Sequence, residues 1–267
     1  MEKFDYDDEQ VSALIIGLYV GAITIKNIPL QLYKQTAKVL KSGLYKGYGG
    51  TLNDFEFGKP DYDLLKELRY NIYIFSGAKC ATQMADIKSL MVKDGEIVPM
   101  NEFKKLALDR FEVYNGKDGY LESEYITAMT SGSSAINWNY TEEHKDIFPR
   151  LRSVAIIDSN TAPECERMNG VIANVDDPIW SHNIAPRHFR CRCHEERIDK
   201  YDEVKSTPNH EVRSIEKKND ETMSPLFKMN PGKDGYVFSK EHPYFDIGRK
   251  YPNTGKINFG LPIPEKD

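Results

Sequence analysis

The sequence lacks a hydrophobic run long enough to cross a membrane. The run from Val11 to Ile25 carries no charged residue, but its 15 positions fall short of the roughly 20 that a membrane helix needs. Its apolar residues recur at helical spacing, and Asp7 and Asp8 are suited to cap a helix N-terminus. We therefore expect a buried amphipathic helix here and no membrane partner.

The sequence also lacks an excess of positive charge. It has 36 Lys and Arg against 41 Asp and Glu, which gives a formal net charge of -5. This balance argues against broad, non-specific affinity for nucleic acid or for an anionic membrane surface. Hydrophobic residues at 40% and charged residues at 29% indicate a soluble globular protein.

Cysteine is scarce, and its distribution is uneven. Of four cysteines, Cys165, Cys191 and Cys193 lie in one stretch, whereas Cys80 stands alone and is predicted to be a small buried apolar residue. The N-terminus is acidic where a secretory signal would be basic. We therefore expect a reducing compartment, in which grouped thiols bind metal more often than they form disulfides.

Helical spacing dominates the first half of the chain. The glycine-rich segment 43–58 is predicted to be a loop that ends the second helix, and it has no phosphate-binding character because no strand precedes it. A bend or a break is expected at Ser76–Gly77 within the third helix. The predicted helices cover residues 7–19, 29–40, 60–92, 100–113 and 120–138.

The character of the sequence changes near residue 149. Two short runs rich in β-branched residues, 153–158 and 171–175, are typical of buried strands, and 164–169 is predicted to form a helical turn. Residues 195–223 are highly charged and indicate an exposed connector. Residues 224–267 are rich in Pro, Gly and aromatics, which predicts an extended arm on this chain or on a partner.

These features together predict the fold class as α+β, mostly α. We expect a helical N-terminal body at residues 1–148 and a small loop-rich module with short strands and a Cys/His cluster at 149–197. A charged connector and an extended aromatic-rich arm are expected at 198–267.

Four side chains of the predicted module have the chemistry of a structural zinc site. Such sites take four tetrahedral ligands, commonly Cys and His. Cys165, His188, Cys191 and Cys193 supply this set and leave no open position for catalysis. The spacing departs from the common Cys-x-x-Cys pattern, and His182 and His194 are substitutes for His188.

Two other interpretations of the same cysteines stay open at this point. The sulfurs are alternatively reduced thiols packed in a small core, with Arg190 and Arg192 acting at the surface. A disulfide from Cys165 to Cys191 or Cys193 is the third interpretation.

Other polar residues of the stretch are predicted to shape its turns. Asp158 and Thr161 are expected to cap the turn after the first strand, and Gly170 suits a left-handed position at a helix end. Asp176 and Asp177 form a turn signal with Pro178. A carboxylate pair for acid–base catalysis is the weaker interpretation of these two, since adjacent turn residues rarely converge on one substrate.

Trp180 is expected to cover the cysteine cluster. A large aromatic ring efficiently shields a small core from solvent.

The stretch from Asp158 to Cys193 resembles the phage Mu F-like minor head proteins of tailed phages and prophages. These proteins are also called head morphogenesis proteins. The resemblance covers about residues 70–195. Ile179 stands where Phe is commoner, and Ala185 stands where the first Pro of a pair is usual. The matching positions are Asp158, Cys165, Gly170, Asp176-Asp177-Pro178-Ile179-Trp180, Pro186 and Cys191-Arg192-Cys193.

The resemblance implies a non-enzymatic structural protein of the virion. Such a protein is present in the host cytoplasm during assembly, docks at the portal region and aids DNA packaging or ejection. The implied partners are the portal protein and other head components, with packaged DNA as a further one and no small-molecule substrate. Exchange of His and Cys in the family at the place held by Cys165 favours zinc as a structural cofactor.

Two alternative functions are also considered. The zinc-stapled module is a nucleic-acid-binding unit if Arg187, Arg190, Arg192 and Arg197 contact phosphates. A toxin or nuclease carried on residues 196–267 is the other alternative, with the histidines His210 and His242 available for catalysis.

Overall fold

The computed structural model describes residues 1–251 and 257–265. Long helices and a few short strands confirm the predicted α+β, mostly α class. The helices are α1 (Asp8–Tyr19), α2 (Leu30–Tyr48), α3 (Pro60–Ser89), α4 (Met100–Asn115), α5 (Tyr120–Glu143), α6 (Pro163–Met168), α7 (Asn209–Thr222), α8 (Pro231–Asp234) and α9 (Asp246–Lys250).

Within the part of the chain that the structure describes, five short strands form two antiparallel sheets. Strands β1 (Val92–Lys93) and β2 (Glu96–Ile97) pair across a tight turn. The second sheet has the order β4-β3-β5, with β3 (Arg150–Val154) at its centre, β4 (Ile172–Asn174) on one side and β5 (His194–Ile198) on the other.

Helix α1 begins where its capping residues predict. The Asp7 carboxylate accepts a hydrogen bond from the Gln10 amide, and the Gln10 side chain accepts one from the Asp7 amide, which completes a capping box. One face is buried, and within residues 1–251 and 257–265 no helix has both the length and the apolar character to cross a membrane.

The chain divides into two compact units. The first consists of Met1–Ser42, Ile72–Tyr125 and His242–Asp267, and the second of Gly43–Asn71 and Ile126–Glu241. Compactness alone does not show which segments fold independently, so the three predicted domains stay a prediction.

The glycine-rich segment 43–58 was predicted to be a loop, but its first six residues are helical. Helix α2 continues to Tyr48 because two of the glycines in the second unit let helices approach closely. A Cβ on Gly47 would lie 1.8 Å from the Met129 carbonyl oxygen, and one on Gly132 would lie 2.6 Å from that of Leu44. Packing in this case outweighs the low helix propensity of glycine.

Helix α3 is continuous over 30 residues, so it has no break at Ser76–Gly77. Within the first unit, the missing side chain of Gly77 makes room for another segment. A Cβ there would lie 2.0 Å from Oδ1 of Asn258.

The first predicted strand of the module is displaced toward the N-terminus. Residues 153–158 were expected to be extended, but β3 is Arg150–Val154, and Ile156 and Ile157 are exposed. The predicted connector 195–223 contains most of β5 and all of α7. The charged side chains of β5 do not show the apolar pattern of a buried strand. In the described sheet, β5 pairs along one edge, with β3.

The predicted C-terminal arm lies on its own chain in the described residues. In the second unit, the Asn71 amide oxygen accepts hydrogen bonds from the backbone N–H groups of Val237 and Phe238, at 3.0 and 2.8 Å. In the first unit, Tyr244 and Ile247 are buried. The parts of the predicted arm at 252–256 and 266–267 lie outside the described residues.

Candidate metal centre

Helix α6 places the first cysteine of the cluster. Pro163 occupies its first turn, where its fixed backbone favours helix initiation. The helix buries Cys165 and Met168, and Cys165 is 0% exposed.

The chain before β5 places the other two cysteines. Backbone pairing of β5 with β3 fixes the position of this segment. The Thr130 hydroxyl donates to the Cys191 carbonyl oxygen at 3.2 Å, which holds the residue from a second side. Cys191 and Cys193 are buried, and with Cys165 they pack against Ala155 and Ala185.

The sulfur and imidazole groups converge on one point. The sulfurs of Cys165 and Cys191 lie 3.7 Å apart, well beyond the roughly 2.05 Å of a disulfide bond, and all four cysteines are free thiols. Ligand atoms of Cys165, His188 and Cys191 all lie within 4.8 Å of one another. Cys193 packs in the same small buried core but lies outside this group of three.

The half-buried His188 is oriented by the backbone. Its Nδ1 lies 2.7 Å from the Phe189 carbonyl oxygen, and since a carbonyl only accepts, Nδ1 is the donor. This arrangement leaves Nε2 with the lone pair that a metal ligand requires.

Hydrogen bonds among the thiols favour one thiolate in the cluster. Those from Cys165 and Cys193 lower the pKa of Cys191, whereas the bond that Cys165 donates to Cys191 raises its own pKa. A hydrogen bond with Cys191 raises the pKa of His188. The geometry therefore stabilises negative charge at Cys191.

A buried ion pair lies beside the cluster, and no sequence motif predicted it. The Arg187 guanidinium is 0% exposed and contacts the Glu195 carboxylate at 2.8 Å. It also donates to the Asn183 carbonyl oxygen at 2.9 Å and to the Ser153 hydroxyl at 2.7 Å. Arg187 is thus part of the buried interior, and the phosphate contact that the nucleic-acid alternative assigns to it is contradicted by its burial.

Two of the other arginines considered for phosphate binding are also engaged within the chain. Arg192 forms two hydrogen bonds of 2.7 Å with the Asp158 carboxylate, and it lowers the pKa of Asp158 to about 2. The Arg197 guanidinium lies 4.6 Å from the centre of the Tyr140 ring. These contacts weigh against a phosphate-binding surface built from this set.

The turn after β3 is closed by side-chain hydrogen bonds. The Asp158 carboxylate accepts from the Asn160 amide at 2.8 Å, and the Thr161 hydroxyl accepts from the Asp158 amide at 2.7 Å. Thr161 also donates to the Ile156 carbonyl oxygen. Farther along, Gly170 has a φ of 80°, the left-handed conformation that glycine adopts at little cost.

The two adjacent aspartates have separate partners and do not form an acid–base pair. Asp176 accepts a hydrogen bond from Lys145 at 3.0 Å. Asp177 caps the 3-10 helix Pro178–Ser181 by accepting from the Ile179 amide at 2.9 Å, and it forms an ion pair with Arg213.

Trp180 does not cover the cysteines, contrary to the sequence-based expectation. It is 0% exposed and packs in a separate apolar core with Trp138, Leu151 and Met168. Its indole N–H donates to the Asn174 carbonyl oxygen at 2.9 Å. The cysteines are covered instead by small residues.

The remaining histidines lie outside the cluster formed by Cys165, His188 and Cys191. His182 contacts the Lys228 carbonyl oxygen, and His194 lies 3.8 Å from Glu196 on an exposed strand face. Of the two residues considered for a nuclease, His210 is exposed, and His242 is buried against Phe75 in the first unit.

A narrow cleft opens beside the cluster. It is lined by Ile156, Asn160, Thr161, Cys165, His188, Arg192 and Cys193. The site is thus a nearly closed group of soft ligands at the edge of a small sheet, which is typical of a structural metal centre.

Fold and site together define a mostly helical α+β protein with a compact Cys/His module. Residues 94–195 match the family described as Phage Mu protein F like protein, and this match confirms the resemblance inferred from the sequence motifs.

Two curated relatives align with parts of the chain. The Mu-like prophage FluMu F protein of Haemophilus influenzae is 31% identical over 90 residues, which are 34% of this chain and 22% of that protein. The Putative capsid assembly protein F of Escherichia phage Mu is 33% identical over 48 residues, 18% of this chain and 11% of that protein. The chain thus spans less than a quarter of each relative. No solved structure matches it significantly.

Proposed function

We propose that this chain is a non-enzymatic structural component of a tailed-phage or prophage head. In this role it acts in head morphogenesis, docks at the portal region and becomes part of the virion. The observation that carries the proposal is the match of residues 94–195 to the Mu F-like family, together with a relative named as a putative capsid assembly protein.

The surface beside the cysteine cluster supports docking through this module. Ile156 lines the cleft and is 47% exposed, and the next residue, Ile157, is 55% exposed. Phe189 follows the ligand His188 and is 38% exposed. Exposed apolar side chains of this size around a rigid site are typical of protein–protein contacts.

Co-expression with the portal and major capsid proteins of the same element tests the proposal. The parent chain is expected to co-purify with the portal protein and to be incorporated into heads. Ile156→Asp is expected to weaken this association strongly, because it places a charge in an apolar contact. Ile16→Asp is a matched control, since Ile16 is 44% exposed on α1, outside the family match.

Three results would contradict the docking proposal. In the first, heads form but contain no copy of the chain. In the second, Ile156→Asp is incorporated into heads as well as the parent is. In the third, Ile156→Asp and Ile16→Asp lose incorporation equally. Salt-dependent DNA binding without portal association would favour the nucleic-acid alternative.

A further inference from the structure

We propose that Cys165, His188, Cys191 and Cys193 bind one Zn²⁺ ion in a closed, tetrahedral structural site. Helix α6 supplies the first ligand, and the loop before β5 supplies the other three. The ion would connect two segments of the second unit that are 26 residues apart at Cys165 and Cys191.

The spacing of the ligand atoms fits this ion. Bonds of about 2.3 Å from zinc to sulfur place two sulfurs of a tetrahedron ~3.8 Å apart. The sulfurs of Cys165 and Cys191 lie 3.7 Å apart, and a His188 nitrogen lies within 4.8 Å of both. An ion at the centre of these three atoms would take its fourth ligand from Cys193, which packs in the same small core.

The ligand types select zinc among the common metals. Three thiolates and one imidazole are soft and borderline ligands, which disfavour Mg²⁺ and Ca²⁺. His188 Nδ1 is already bonded to the Phe189 carbonyl oxygen, the outer contact that usually orients a metal-binding imidazole. Four protein ligands fill a tetrahedral site, which leaves no open position for a reactive water.

The charge around the cluster fits a metal-thiolate centre. Zn²⁺ with three thiolates and a neutral imidazole carries one negative charge. The buried guanidinium of Arg187 pairs with Glu195, but its Nη1 has no hydrogen-bond partner among the described residues. A buried cation with an unused donor is stabilised by a neighbouring anionic centre.

Metal content and spectroscopy of the full chain test the inference. Elemental analysis is expected to give one zinc per chain, and replacement by Co²⁺ is expected to give the visible bands of tetrahedral thiolate coordination. Cys191→Ser is expected to lower zinc affinity at least about 100-fold, more than the loss of an outer-shell partner does. Cys80→Ser is the matched control, because Cys80 is a buried thiol in the first unit.

A second variant is needed if Cys191→Ser fails to fold. His188 is suited to it, because this half-buried side chain can be replaced without changing the buried core. His188→Gln is expected to fold and to lose zinc to a chelator faster than the parent does. Unchanged zinc retention in both variants would overturn the site. Zinc-free protein with four titratable thiols would show packed thiols instead, and two titratable thiols would show a disulfide. These readouts are independent of head incorporation, so the site and the proposed function fail separately.

Discussion

The first unit and the cysteine cluster of the second unit are packed from side chains of different size. The first unit has a core of large apolar side chains on long helices, in which Leu18, Phe75 and Phe103 are 0% exposed. Around the cysteines, the small side chains of Ala155 and Ala185 take the place of such residues. The two regions therefore need different sources of stability.

Apolar burial contributes much more to the first region than to the cysteine cluster. A fully buried Leu or Phe side chain contributes roughly 1.5–3 kcal/mol, and the first unit has many of them. A few alanines and thiols contribute far less apolar area. We infer that zinc binding supplies the stabilisation around the cysteines that apolar packing does not supply.

The largest loss of stability is expected when the buried ion pair of the first unit is removed. The Lys79 ammonium lies 2.7 Å from the Glu124 carboxylate, with both side chains almost fully buried. Glu124→Leu leaves the cation without its partner, and we expect a loss of about 3–5 kcal/mol in the free energy of unfolding. Urea denaturation measures this loss. The double variant Lys79→Met/Glu124→Leu is expected to recover most of it, and a single-variant loss below about 1 kcal/mol would contradict the assigned role.

The next effect is a pH dependence confined to the first unit. Burial, together with the nearby charge of Lys79, lowers the pKa of His242 from 6.5 to about 4. The folded state thus prefers the neutral imidazole, so its contribution is complete above about pH 6.5 and is lost as the pH falls toward 4. We expect a total loss on the order of 3 kcal/mol.

His242→Asn is the matched variant for the pH measurement. Its side-chain oxygen retains an acceptor for the Tyr244 amide, which now donates to Nδ1 of His242 at 3.3 Å. Unfolding free energies between pH 7 and 4 should fall less steeply in this variant than in the parent. Equal slopes would show that His242 does not cause the dependence.

A smaller effect is expected in the apolar core of the second unit. Trp180→Phe removes the donor to the Asn174 carbonyl oxygen and some buried volume. We expect a loss of about 1–3 kcal/mol with zinc content unchanged, because Trp180 packs apart from the cysteines. Loss of zinc together with stability would show that the two clusters are coupled more closely than their packing indicates.

The smallest effect is expected at the exposed pair of Arg192 and Asp158. Arg192→Ala should leave the midpoint of thermal unfolding almost unchanged, because exposed ion pairs contribute little. It should raise the pKa of Asp158 from about 2 toward 3.8, since Arg192 is the largest cause of its lowering. Carboxyl NMR titration measures this shift, and an unchanged pKa would mean that the ion pair is not formed in solution.

The helices and the ligand types were predictable from the sequence, because helical periodicity and Cys/His grouping are local signals. The end of α2 was not, since Gly47 is tolerated there only through its close approach to Met129. The nucleic-acid alternative requires Arg187 at the surface, where arginine usually lies. Its burial depends on Glu195, which strand pairing brings beside it.

Hydrogen exchange with and without a zinc chelator most directly tests the contrast between the two regions. The amides of α6, β3 and β5 are expected to lose protection when zinc is removed, while those of α1 and α4 keep theirs. Protection that is unchanged everywhere, or lost equally in both regions, would contradict the claim that chelation stabilises only the cysteine cluster and its neighbouring elements.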